Sequence, residues 1–303
     1  MADTLLKFLF HDAPVRGEIV RLDASWRAMI AHHGYPAPVT RLLGEATAAA
    51  ALLAANIKFD GALILQVQGN GPVRLLVVEV QPGMRLRATA KLREAVAVDD
   101  AASLQQLTNP DGDGRCAITL DPTGRRPGQQ PYQGVVPLAG ETIAQVLENY
   151  LRQSEQVESR LWLAASDQAA AGVLLQKLPQ EGGAAARPDI DAWQRAGALT
   201  ATLTAAELLA LEPDSLARRL YWEERLDHFA PVEPRFECTC SRERSGRMLL
   251  ALGREEADSI VAERGQVEIV CDFCNARYAF DAVDVAQLFA SGATEAADAS
   301  TRH

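Results

Sequence analysis

Four of the chain's five cysteines fall within 37 residues, as Cys238-Thr-Cys240, a gap of 30 residues, and Cys271-Asp-Phe-Cys274. Thiolates hold soft metals in paired half-sites, so this spacing constrains the segment more than any other feature does: two short loops must meet at one ion. The second pair is flanked by the β-rich runs Val267 to Val270 and Arg277 to Phe280, which places it on a tight hairpin turn with backbone N–H groups aimed at the sulfurs. The first pair is closer than the usual two-residue spacing, and both of its sulfurs reach one metal if Thr239 is turned outward. Between the pairs, Ser241 to Leu252 is predicted to be a helix capped by Ser241 and stopped at Gly253, with a second over Glu255 to Arg264 stopped at Gly265. Large apolar groups are few here, so a zinc ion supplying about 10 to 16 kcal/mol of apparent binding free energy is the expected core.

A site of four thiolates leaves no open position, which argues against a zinc-activated water and hydrolase chemistry. Spacing alone leaves a structural role, a redox role and nucleic-acid binding. The last is disfavoured by charge: residues 235 to 280 carry seven arginines against eight acidic residues, and the whole chain has a net charge of -10. Adjacent cysteines add a specific chemistry. Each pair can close a disulfide on itself, so an oxidant can remove all four ligands without long-range rearrangement, and the metal then has to leave.

The 303 residues suggest more than one domain. Residues 1 to 187 read as mixed α and β: strands over Thr4 to Phe10 and Val15 to Leu22, a helix from Ser25 to His33, and an alanine-rich helix from about Thr40 to Ile57 after the breaks at Pro36 and Pro38. A hairpin follows, Gly61 to Gln68 and Val73 to Gln81 around Gly69-Asn-Gly-Pro72, then strands at Leu86 to Arg93 and Cys116 to Leu120, and a helix over Glu141 to Gln156. Pro179 to Pro188 marks a boundary, and Asp191 to Phe229 is predicted to be helical in two amphipathic pieces split at Pro213, the second carrying Leu216, Leu220, Tyr221 and Leu226. The expected fold class is α+β, with an N-terminal core at 1–187, a helical linker at 188–234, a zinc domain at 235–289 and a flexible tail at 290–303.

Cys238-Thr-Cys-Ser-Arg-Glu-Arg244, Tyr132-Gln-Gly134, Ser154-Glu-Gln156 and Cys271-Asp-Phe-Cys-Asn-Ala-Arg-Tyr278 resemble the heat-shock protein 33 family of redox-regulated bacterial holdase chaperones, and the resemblance runs to about Phe289. It implies one zinc per chain on Cys238, Cys240, Cys271 and Cys274 in a reduced, inactive monomer. It further implies that oxidation forms the two local disulfides, releases zinc and unfolds the C-terminal domain and linker. The exposed apolar surface then holds unfolding clients without ATP, and the active form is a homodimer.

Other expectations are negative. None of the four lysines sits in a Gly-x-x-x-x-Gly-Lys-Ser/Thr loop, no nucleophile elbow or histidine cluster is present, and no enzyme activity is expected. The apolar run Ala46 to Ile57 is 12 residues, too short to span a bilayer, and Met1 to His11 lacks an export signal, so a cytoplasmic protein without membrane or nucleic-acid partners is expected. Cys116, in a β-rich run, is expected to be a buried apolar residue. Two alternatives stand beside the chaperone: a structural zinc domain acting as a binding module, and a thiol-disulfide oxidoreductase, which would need its Cys-x-x-Cys at a helix start.

Overall fold

Apolar residues facing both sides make β1 (Thr4–Phe10) and β2 (Val15–Leu22) a hairpin buried on both faces. In β1, Leu5 faces one core while Leu6, Phe8 and Phe10 face another, and both cores are full. The computed structural model describes residues 2–11, 13–57, 59–94, 97–124, 128, 130–179 and 191–290. Within them β1 and β2 belong to an antiparallel sheet of order β10-β1-β2-β9-β8, completed by β8 (Ser159–Ala165), β9 (Ala170–Lys177) and β10 (Leu226–His228).

A second sheet, of order β11-β5-β4-β3-β6-β7, is formed by β3 (Gly61–Gln68), β4 (Val73–Gln81), β5 (Arg85–Leu92), β6 (Arg115–Pro122), β7 (Tyr132–Pro137) and the two-residue β11 (Arg235–Phe236). Only β11 runs parallel to its neighbour, pairing with Arg85 and Leu86 of β5. The helix α2 (Ala37–Asn56) lies between the two sheets and is buried nearly all round, as expected of a helix that is apolar on every side. Its run Ala48–Ala51 keeps it thin enough for both sheets to approach. Gly44 is needed for the same reason, since a Cβ there would lie 2.4 Å from that of Ala165. The helix starts at Ala37, earlier than expected, because Pro38 sits in the first turn, where no N–H is required. The helix α1 (Ala24–Ile30) buries Trp26 beneath it, while α3 (Leu104–Thr108) and α4 (Ile143–Ser154) pack at the margins of this core.

The outer face of the first sheet is covered by α5 (Ala192–Thr200), α6 (Ala205–Ala210) and α7 (Pro213–Leu220). Trp193, Ala196, Leu208, Leu216 and Leu220 close over Leu6, Phe8, Phe10, Val15, Ile19, Val173 and Leu175. Tyr221 is buried beside Phe8 and Phe10, and Thr200 satisfies its hydroxyl at 2.6 Å. Leu226, expected in the second helix, instead opens β10, because pairing with β1 satisfies the backbone there. The described part of the expected linker, from 191 to 234, thus has a burial partner of its own. Residues 180–190, containing most of the expected boundary, and 291–303 of the expected tail lie outside the described residues. Two compact units divide the chain after Glu237.

Glu18, on the inner face of β2, is buried, with Arg16 Nε 3.3 Å from its carboxylate. Burial pushes its carboxyl from 4.5 up to about 7, against the pull of Asn56, Arg16 and Lys7. Folding therefore favours the protonated form. The stability this provides is complete below pH 4.5 and is lost as pH rises to about 7, a difference of about 3 kcal/mol. Glu18→Gln should remove that slope, so that in urea titrations its advantage over the parent protein grows between about pH 5 and about pH 8. A constant difference would contradict this account.

The second unit contains α8 (Arg242–Leu252), α9 (Arg254–Arg264), the hairpin of β12 (Val267–Val270) and β13 (Arg277–Phe280), and a further helix over 282–290. Ser241 caps α8 through the Arg244 N–H, Gly253 ends it, and Gly265 ends α9 in the left-handed conformation, as predicted. Its buried apolar cluster is Leu249, Ala257, Val267, Phe280 and Val285.

Candidate metal centre

The β12–β13 hairpin turns through Cys271-Asp-Phe-Cys274, closed by Cys271 N–H to Ala276 O and Asn275 N–H to Cys271 O, both at 2.9 Å. Asn275 takes a φ of 56°, a left-handed conformation that asparagine tolerates well. Cys238 and Cys240 lie just before the Ser241 cap of α8. Arg244 holds that turn, its guanidinium donating to Thr239 O at 3.0 Å and to the Thr239 hydroxyl at 2.7 Å. Arg242 joins α8 to the hairpin side by donating to Ala279 O at 2.6 Å, pairing with Asp284 at 2.7 Å and stacking over the Phe280 ring.

The four sulfurs lie within 4.8 Å of one another. Cys238 and Cys271 are 3.6 Å apart and Cys240 and Cys274 3.4 Å. A disulfide would need about 2.05 Å, whereas a tetrahedron of sulfurs at about 2.3 Å from a central ion has edges of about 3.8 Å. All four cysteines are unpaired and partly buried, so the arrangement fits a metal held by four thiolates.

The electrostatics support the same fit. Burial pushes the thiols of Cys238 and Cys274 up, the latter strongly. Burial also opposes ionisation of Cys240, but the Tyr278 hydroxyl and the neighbouring sulfurs outweigh it and hold this thiol below its ordinary range. Four sulfurs this close do not all ionise unless a cation supplies the compensating charge. Tyr278, on β13, donates to Cys240 Sγ at 3.1 Å, and this bond pushes its own hydroxyl up to about 12. The sequence brought the four cysteines together, whereas Tyr278, Arg242 and Arg244 stood within the quoted motifs with no role of their own. The position of Tyr278 four residues after Cys274, on a strand leaving the metal turn, was the available signal.

Cys116 lies in β6, fully buried, with burial alone pushing its thiol up to about 12, and behaves as a small apolar residue. No helix among the described residues is long and apolar enough to cross a membrane.

Comparison with known proteins agrees with this architecture. The family model for the Hsp33 protein matches residues 3–281. The chain is 47% identical over 290 residues to a 33 kDa chaperonin of Methylobacillus flagellatus, covering 95% of each chain. It is 45% identical over 304 residues to a 33 kDa chaperonin of Ectopseudomonas mendocina, covering 100% of each. Its fold is shared with the crystal structure of a 33 kDa chaperonin from Thermotoga maritima, at a TM-score of 0.78 and 23% identity, over 96% of this chain and 99% of that one. A whole-chain family match and relatives at this identity, on a mixed α and β fold with four clustered cysteines, place the chain in the Hsp33 family of chaperones.

Proposed function

We propose that this chain is an ATP-independent holdase, switched on when oxidation dismantles a zinc centre held by Cys238, Cys240, Cys271 and Cys274. The observation that carries this reading is the position of the four sulfurs inside a unit whose buried apolar cluster is only Leu249, Ala257, Val267, Phe280 and Val285 among the described residues. A unit with so small a core depends on its metal for folding, so chemistry at the sulfurs becomes a change of conformation. The bound ion would hold all four thiolates ionised in a closed tetrahedron, with no position for a substrate.

On this reading 1–187 is the chaperone core, 188–234 the linker and 235–289 the switch. The reduced form is a zinc-bound monomer and the oxidised form a homodimer that binds unfolding proteins. The protein acts in the cytoplasm, has no catalytic turnover and does not engage nucleic acid or membrane.

Disulfide mapping tests the switch. Each pair of thiolates gives up two electrons to one hydrogen peroxide, which takes two protons from solvent and is reduced to two waters, and the zinc leaves as the free ion. Peroxide-treated protein should contain Cys238–Cys240 and Cys271–Cys274, because closure between near neighbours costs the least chain entropy. The reduced geometry makes this a demanding test, since it sets Cys238 against Cys271 and Cys240 against Cys274. Dominant cross-pairing would overturn the local switch.

A further inference from the structure

We propose that Tyr278 sets the sensitivity of the centre to oxidant, through the hydrogen bond its hydroxyl donates to the Cys240 sulfur. The inference rests on the redox reading above. The two groups are 3.1 Å apart, and they come from different half-sites. Tyr278 is on the hairpin that carries Cys271 and Cys274, paired with Ile269 across the strands, whereas Cys240 precedes α8. The hydroxyl therefore reaches across the cluster to the other pair.

A thiolate reacts with peroxide by placing a sulfur lone pair on one peroxide oxygen. The O–O bond breaks, hydroxide leaves and takes a proton to become water, and a sulfenic acid remains. The second thiolate of the pair then displaces the sulfenic hydroxyl, which takes a proton from solvent and leaves as water, and the S–S bond forms. A hydrogen bond to the attacking sulfur withdraws the electron density this first step needs. Nucleophilicity follows basicity with a Brønsted slope near 0.4–0.5, so the hydrogen bond slows attack by the sulfur that accepts it. Tyr278 thus protects Cys240 against low peroxide while leaving its reaction with strong oxidant available.

The test uses full-length, zinc-loaded, reduced protein and its Tyr278→Phe variant, which keeps the ring. The variant should still hold one zinc per chain, release it to a chromogenic chelator several-fold faster than the parent at a fixed peroxide concentration, and trap more sulfenic acid at Cys240. With cobalt replacing zinc, its sulfur-to-metal charge-transfer band should move to lower energy, a change that loss of packing alone would not produce. Equal release rates with an unmoved band would overturn the role of Tyr278 while leaving the switch intact. A variant that no longer holds zinc would overturn it in favour of a structural role. If the parent protein keeps its zinc under peroxide, the redox reading itself fails and the inference falls with it.

Discussion

Removing the metal from the reduced protein with a strong chelator should unfold residues 238–290 while the two-sheet unit stays folded. Among the described residues of the second unit, the large apolar side chains that are fully buried are Leu249, Val267, Phe280 and Val285, and at roughly 1.5 to 3 kcal/mol each, with less from Ala257 and the half-buried residues around them, their burial does not offset the conformational entropy of ordering some fifty residues. A four-thiolate zinc site supplies about 10 to 16 kcal/mol, enough to decide the balance. The first unit needs no such help, since α2 and the inner faces of both sheets form a continuous core from Leu5 to Leu174. Hydrogen exchange should show protection lost in α8, α9 and the β12–β13 hairpin and retained in β1 to β9. Cys271→Ser should reproduce the result without chelator, because three thiolates leave an open and weaker site. Retained protection in metal-free α8 and α9 would contradict the dependence.

Unfolding of the second unit, by oxidation as by chelation, should also release α5 to α7 from the outer face of the first sheet, while β1 to β9 stay folded. These helices are short, between six and nine residues, and isolated helices of that length are unstable in water. They persist because they cover Phe8, Phe10, Val15, Ile19, Val173 and Leu175. Between α7 and Cys238 the chain is fastened by three-residue β10, a bridge from Val232 to Leu5, and two-residue β11. Losing structure at Cys238 leaves the two pairs of β11 at a fraying end, and the release can then run back through Val232 and β10 to Tyr221. The freed surface is of the large apolar kind that marks a site for protein binding. In peroxide-treated protein, amides of α5 to α7 should exchange faster by orders of magnitude and a hydrophobic dye should bind. Unchanged protection of α7 would show that the switch stops at the metal domain.

The features visible in the sequence were those written locally. The Ser241 cap, the stops at Gly253 and Gly265 and the strands around Cys271 and Cys274 each depend on neighbours within a few residues, and each lies where expected. Strands β8 and β9 were not anticipated. The run Ala-Ala-Gly-Val-Leu-Leu-Gln in β9 is buried on both faces, so it has no polar alternation to reveal a strand, and its small residues carry little β preference. Leu226 continued a helical apolar period, but strand pairing with β1, more than two hundred residues away in sequence, decided its conformation. At the metal centre the cysteines declared themselves by spacing. Tyr278, Arg242 and Arg244 did not, because tyrosine on a strand and arginine on an exposed helix are ordinary there. Only the folded hairpin brings the phenol to Cys240.

On the proposed function, oxidation of the four-cysteine centre creates client-binding activity. The most direct measurement is light scattering of a heat-denatured client with the reduced zinc form and with the peroxide-treated form, in the absence of nucleotide, with released zinc measured in the same samples. Suppression of aggregation should appear only after oxidation and rise in proportion to zinc released. Equal suppression by both forms, or none by the zinc-free oxidised form, would contradict the account.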